Sequence, residues 1–408
     1  MKDNLKKISP IAWNIIIGTM FGRMATSMSI PFLAIYLTQV KHVSPAMTGA
    51  IVAVSSLVGV FSSFFGGYLS DKYGRKAILI LSVFLWGGVF IGYGMAESVT
   101  AFFIVNSMNG LCKSLFEPAS RALLSDITEP KNRLLIFNLR YTAINAGVTF
   151  GPIIGLKLGS ANSTFTFFIA GIIYVLYGLS LLISLKSYKR PIVSQARPKM
   201  GEAFGIIRKD GVFALTLLAM ILSIAGYSQF NSTLPQFFSS SSQFEDGVSL
   251  FSYLLALNAV TVIVLQFPLV QFGKKFSPLM SILAGNLIIS LSLLGFGIAK
   301  GAVSLALIII IFTIGEVLMF AMTDLFIDEI ANPDYKGTYF GAMGFNGLGN
   351  VIGPWIGGIV IEQYGTGEPL ILFGSLCAVS ILGVPAFIIV HIALKKRKSR
   401  MVEISHGA

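Results

Sequence analysis

Apolar residues in this chain fall in long blocks and do not alternate with polar ones. The windows 278–299 and 370–393 hold no Asp, Glu, Lys or Arg. About 20 such residues, wound as a helix, cross roughly 30 Å of hydrocarbon. Blocks of this kind recur along the chain and predict spans at 11–37, 46–70, 77–95, 100–126, 135–158, 164–185, 212–238, 247–271, 278–298, 303–327, 337–361 and 369–393. The ten-residue alternation of a membrane β-barrel is absent. The pattern predicts an all-α membrane protein with twelve transmembrane helices.

The polar breaks between blocks are short, with one exception. Residues 186–211 contain two prolines and several Lys/Arg and predict a linker. It separates an N-terminal six-helix bundle, 1–185, from a C-terminal one, 212–408, which ends in a basic tail beginning at Lys395. The halves repeat. Asp126, Glu129, Pro130 and Arg133 precede Gly151, Pro152 and Gly155; about 202 residues downstream, Glu329, Pro333 and Lys336 precede Gly353, Pro354 and Gly357. The turn at Gly273, Lys274 and Lys275 echoes Gly74, Arg75 and Lys76. Parallel repeats of this kind predict a pseudo-two-fold axis along the membrane normal, with a substrate site near the midplane between the halves.

Charge changes the picture in two ways. Only 12% of residues are charged, about half the share in soluble domains. The formal net charge of +12 is a feature of topology. Placing both termini and the even-to-odd loops on one side collects nearly all the loop Lys/Arg there, leaving Lys41, Lys157 and Lys300 opposite. Positive loops face the cytoplasm, so both termini are expected to be cytoplasmic in the plasma (inner) membrane. No nucleic-acid partner is expected. The basic tail is expected to meet anionic lipid. Cys112 and Cys377 lie within apolar spans and are expected to be free thiols. His42, His391 and His406 have no metal-ligand spacing, so no metal site is expected. The first apolar run exceeds the ~7–15 residues of a secretory signal core and reads as a retained helix.

A charge inside a span costs roughly 2.5–3.5 kcal/mol on insertion scales and by default marks function. Arg23 lies in the first span; Lys113, Glu117 and Arg121 share one face of the fourth; Arg140 lies in the fifth and Glu316 in the tenth, with Asp324 two turns further on. Glu117 either forms a static ion pair with its neighbours or serves as a titrating, cation-binding group. Glu316 has no basic residue within a turn of its own helix. An unpaired buried carboxylate is costly, so it is expected to carry a proton part of the time. Arg23 and Arg140 stay charged and are expected to hold an anion or neutralise a carboxylate. Tyr227, Gln229 and Asn231, before a kink expected near Pro235, together with Asn346, are candidates to line a cavity, although polar side chains also join helices. The Gly147, Gly151, Pro152 motif and its copy at Gly349, Gly353 and Pro354 predict close packing and a bend.

Between the second and third spans stands the hairpin Gly67, Asp71, Lys72, Gly74, Arg75, Lys76. Its pattern G-x-x-x-D-[RK]-x-G-R-K resembles the signature loop of the major facilitator superfamily. The resemblance covers nearly the whole chain and implies two pseudo-symmetric six-helix bundles. It also implies a gating latch, with Asp71 near the cytoplasmic start of helix 11 and Arg75 bonded to acidic groups nearby. A helix N-terminus favours such an aspartate by up to about 1–2 kcal/mol. The matching position of the second half is Val270, so the latch is expected to act from the first half. The Gly-Pro motif of the fifth span resembles that of drug:proton antiporters. Two departures matter. The frame that usually places an Arg in helix 4 reads Asn106 to Gly110 here. Arg23 is similar to the helix 1 arginine of proton-coupled oligopeptide transporters, but the preceding glutamates are replaced by Thr19 and Gly22.

No nucleotide-binding loop or sizeable soluble domain is present in the sequence, and no nucleophile-base pair marks an enzyme. The expectation is a proton-coupled secondary transporter, monomeric and without cofactors, moving a small-molecule substrate against protons. Efflux of amphipathic drug-like compounds, cationic or neutral, is the first expectation. A symporter importing an anionic organic metabolite or peptide, with Arg23 and Arg140 as its clamp, is the alternative; a lipid flippase ranks third.

Overall fold

The computed structural model describes residues 8–158, 163–186, 188, 200–240, 243–244, 246–273 and 275–406. All regular structure among them is helical. The first six helices are α1 (Pro10–Ile35), α2 (Pro45–Tyr73), α3 (Arg75–Met95), α4 (Val99–Asp126), α5 (Arg133–Lys157) and α6 (Phe165–Ser184). A short helix α7 (Met200–Lys209) follows, within the expected linker. Linker residues 187 and 189–199 lie outside the described residues, as does Lys274. Then come α8 (Gly211–Tyr227), α9 (Thr233–Ser240), α10 (Gly247–Gly273), α11 (Pro278–Ile298), α12 (Ala302–Ile330), α13 (Lys336–Ala342), α14 (Gly349–Tyr364), α15 (Pro369–Ile381) and α16 (Gly383–His406).

Helix starts follow local chemistry. Ser-Pro pairs open α1, α2 and α11: the serine oxygen accepts a first-turn amide, and proline occupies a position that needs no N–H. Asp210 caps α8 by accepting from the Phe213 amide at 3.1 Å. The α2–α3 turn is made by Gly74, whose φ of 96° lies in the left-handed region that favours glycine.

Three expected spans are interrupted. The seventh breaks at a 3-10 turn, Ser228–Phe230, before Pro235, which sits inside the first turn of α9. There a proline needs no hydrogen-bonded N–H, so it does not make the kink expected of it. The eleventh runs as α13, a 3-10 segment Met343–Leu348, and α14; three glycines in 341–347 weaken the helix there. The twelfth steps at Leu382 between α15 and α16.

Among the described residues, eight helices are long and apolar enough to cross a membrane. The other four expected spans are helical too, but they hold Arg23, the Lys113–Glu117–Arg121 face, Arg140 and the glycine-rich break. Polar content lowers their mean hydropathy. On α6, Ile172, Leu176, Leu179 and Ile183 are exposed while Phe167, Tyr174 and Tyr177 are buried. Apolar side chains on both faces suit a helix with protein on one side and lipid on the other.

The chain divides into two compact units: Met1–Phe204 with Ile327–Gly344, and Gly205–Phe326 with Phe345–Ala408. The segment 327–344, from the second half of the sequence, packs with the first. Within each unit the repeated glycine motif has the same use. Gly147 and Gly151 press α5 against the backbone of Met20 and Met24 on α1, and Ser27 Oγ donates to the Gly147 carbonyl at 3.0 Å. Gly349 and Gly353 press α14 against Ile221 and Ala225 on α8, and Ser228 Oγ donates to the Gly349 carbonyl at 3.5 Å. A β-carbon at these glycines would overlap the facing helix. The duplicated sequence therefore builds a duplicated helix pair.

Candidate functional site

In the first unit, the charged residues of α1, α4 and α5 converge on Glu117. Arg23 donates to Oε1 and Arg140 to Oε2. Arg121, one turn along α4, stands 3.7 Å from Oε2. Arg140 is buried, whereas Arg23 and Arg121 keep 21% and 26% of their side chains accessible. Lys113 is exposed although it lies among packed helices; its charged neighbours are Arg23, Glu117 and Arg121, and no ion pair reaches it among the described residues. A wall of rings backs the cluster: Trp86 stacks on Tyr174 at 4.8 Å, and Phe90 stacks on Tyr174 at 5.3 Å. Tyr174 Oη donates to the Gly22 carbonyl at 3.0 Å, beside Arg23. Trp86 donates to Asn109 at 2.7 Å.

In the second unit, Glu316 on α12 is buried with neutral company. Tyr227 Oη donates to Oε1 at 3.0 Å, and Asn258 Nδ2 donates to Oε2 at 2.9 Å. Asn258 also donates to Thr313 at 2.9 Å, one turn before Glu316. No ion pair reaches Glu316 among the described residues. Phe312 and Phe320 flank the Tyr227 ring. This carboxylate can exchange a proton without breaking an ion pair. Glu117 cannot, because two guanidiniums hold it.

A third cluster lies in the first unit at the α2–α3 turn. Asp71 accepts from the amides of Gly337 at 3.0 Å and Thr338 at 2.6 Å, and from the Thr338 hydroxyl at 2.6 Å. Arg75 bonds Asp71, and its Nε donates to Asp126 at 3.1 Å. Gly67 and Gly337 allow this approach: a β-carbon on Gly337 would sit 2.7 Å from both an Asp71 oxygen and the Gly67 carbonyl. A second network adjoins the first. Asp328 accepts from Ser125, from Arg133 at 2.8 Å and from Lys336 at 2.6 Å. Lys336 also donates to Ser125 at 2.6 Å. Ser125 and Asp126 thus serve one network each, as do Lys336 and Gly337.

Other expected residues are placed differently. Gln229 donates to the Gly353 carbonyl at 2.8 Å and to Ala225 at 3.0 Å, which ties α8 to α14. Asn231 is exposed, and Asn346 is half-buried in the 3-10 segment. Lys76 is half-buried beside the turn. Pro152 and Pro354 lie inside α5 and α14. Sequence reasoning missed Asn258 and Asp328. Asn258 is an amide within an apolar run, a visible signal. Asp328 sits next to Glu329, the repeat marker; only the fold shows that Asp328 is the buried one, at 4% exposure against an exposed Glu329.

The model of the Major Facilitator Superfamily matches residues 15–348. The chain is 51% identical over 405 residues to the uncharacterized MFS-type transporter YqjV of Bacillus subtilis (strain 168), covering 98% of this chain and 97% of the relative. It is 26% identical to a Na(+), Li(+), K(+)/H(+) antiporter of Planococcus maritimus, covering 90% and 92% of the two chains. The solved structure of the MFS transporter FucP in the outward conformation is similar in fold, with a TM-score of 0.76 at 16% identity over 94% of this chain and 98% of that one. With the signature hairpin, the paired glycine motifs and the buried charges in place, the chain belongs to the Major Facilitator Superfamily, a family of membrane transporters and not of enzymes.

Proposed function

We propose that this protein is a proton-coupled secondary transporter, an efflux antiporter for amphipathic drug-like compounds that works by alternating access. The observation that carries the reading is Glu316, a carboxylate buried in an apolar helix whose partners among the described residues are Tyr227 and Asn258. Both groups remain satisfied whether the carboxyl is neutral or charged: the tyrosine hydroxyl can donate or accept, and the amide can donate to either form. A change in water access around Glu316 then loads or releases one proton. Across about 100 mV one proton supplies roughly 2.3 kcal/mol, on the order of fifty-fold in concentration.

Alternation is assigned to the Asp71 and Asp328 networks, which bind segment 327–344 to the first unit in this conformation and release it in the other. Export is favoured by the Gly-Pro motif of α5 and by the antiporter named among the relatives. The loop lysines and arginines favour cytoplasmic termini, in a plasma membrane.

Proteoliposomes with an imposed pH gradient and a panel of amphipathic compounds test this reading. Wild type should give gradient-driven flux, and Glu316→Gln should retain downhill exchange but lose the response to the gradient. Absence of proton-linked flux for every compound, or full coupling in Glu316→Gln, would exclude the mechanism.

A further inference from the structure

From Lys113 and Arg23 we infer that the cargo of this transporter carries an anionic group, a carboxylate or sulfonate on an aromatic or otherwise apolar body, and that these two side chains bind it. The inference rests on the reading of the chain as a transporter whose cargo enters the first unit; it replaces the cationic or neutral compounds expected from the sequence.

A lysine inside a membrane span needs a partner, and such residues face protein or a water-filled cavity, not lipid. Lys113 is exposed, and no ion pair reaches it among the described residues. The nearest carboxylate on its own helix, Glu117, is already bonded by Arg23 on one oxygen and by Arg140 on the other. The other charges beside Lys113, Arg23 and Arg121, are like charges. A cation in this position is complemented by an anion brought from outside.

Arg23 is the natural second ligand. It lies on α1, is partly accessible and touches Glu117 through Nη2 alone, which leaves further N–H donors on the guanidinium. Arg140 is 2% exposed, bonds the other oxygen of Glu117 and is out of reach of the cargo. The sequence-level clamp of Arg23 with Arg140 thus becomes Arg23 with Lys113. Glu117 acts in this arrangement as an internal anion that competes with the cargo for Arg23.

Four matched probes test the inference by equilibrium dialysis against the full chain in nanodiscs: naphthoate, naphthalenesulfonate, the uncharged naphthamide, and naphthylmethyl-trimethylammonium. The two anions should bind roughly ten- to a hundredfold tighter than the amide, the range for a charge-assisted contact. Lys113→Gln should remove most of that preference, and it leaves the Arg23–Glu117–Arg140 bonds in place, so folding is kept. Glu117→Gln should tighten anion binding by freeing Arg23; a purely structural role for Glu117 would leave the anion preference unmoved. Equal binding of all four probes, absence of binding by any, tightest binding of the ammonium, or an unchanged preference in Lys113→Gln overturns the inference. Anion preference without proton-linked flux leaves it standing and removes the coupling reading; proton-linked flux of the ammonium probe does the reverse.

Discussion

Glu117 and Glu316 are two buried glutamates whose neighbours assign them opposite tasks. Glu117 is held by Arg23 and Arg140, so its charge is part of the packing. Removing one member of a buried ion pair costs about 3–5 kcal/mol because the other is left uncompensated. Glu117→Gln leaves both guanidiniums without their carboxylate and should therefore lower the thermal unfolding temperature clearly in detergent, and Arg140→Gln should lower it less, because Arg23 still holds Glu117. A loss in Arg140→Gln as large as that in Glu117→Gln would mean that Arg140 acts mainly through other contacts. Glu316, with neutral partners, should tolerate Gln: the amide is nearly isosteric and its oxygen can still accept from Asn258 or Tyr227. The sequence exposed both glutamates as candidates, since charge within an apolar run is plain to read. It could not separate them, because Arg140 is 23 residues from Glu117 and Arg23 is 94. Helical spacing brings only Lys113 and Arg121 to Glu117, and neither makes its short bonds.

At the scale of elements, the hairpin and segment 336–342 are joined by backbone amides. Asp71 accepts from two consecutive amides of α13, a contact that no side-chain motif in α13 announces. Asp71→Ala leaves these donors without their acceptor. Hydrogen exchange across 336–342 should then speed up by about ten- to a hundredfold, the equivalent of a lost hydrogen bond to a charged group; unchanged exchange would show that the Asp328 network suffices. The repeat explains the doubled design. Arg133 and Lys336 occupy matching places in the two halves, and both bond Asp328. The glycine motifs, legible as a pattern, gained their meaning from what they touch: α1 for one copy, α8 for the other.

For the molecule as a whole, the twelve spans expected from the sequence would put both ends on one face, and the loop charges favour the cytoplasmic one. A fluorescent protein fused after Ala408 should fluoresce and an alkaline phosphatase fused there should be inactive in a bacterial host; the opposite pair of results would invert the topology. The division into units does not follow the sequence midpoint. Segment 327–344 belongs by sequence to the second half and by packing to the first unit, because Asp71, Ser125 and Arg133 hold it there.

The sequence by itself determined the fold class, the approximate spans, the duplication and the identity of the buried charges. Each of these follows from local pattern: block length against hydrocarbon thickness, motif spacing, and charge within apolar runs. Tertiary structure alone decided which charges neutralise one another, that Gln229 joins helices, that Asn258 completes the Glu316 site, and that among the described residues no ion pair reaches Lys113. Those outcomes depend on which helix faces meet. In a membrane helix both faces are apolar, so the sequence pattern that would mark the inward face of a soluble helix is faint, and partners far apart in the chain become visible only after packing has chosen them.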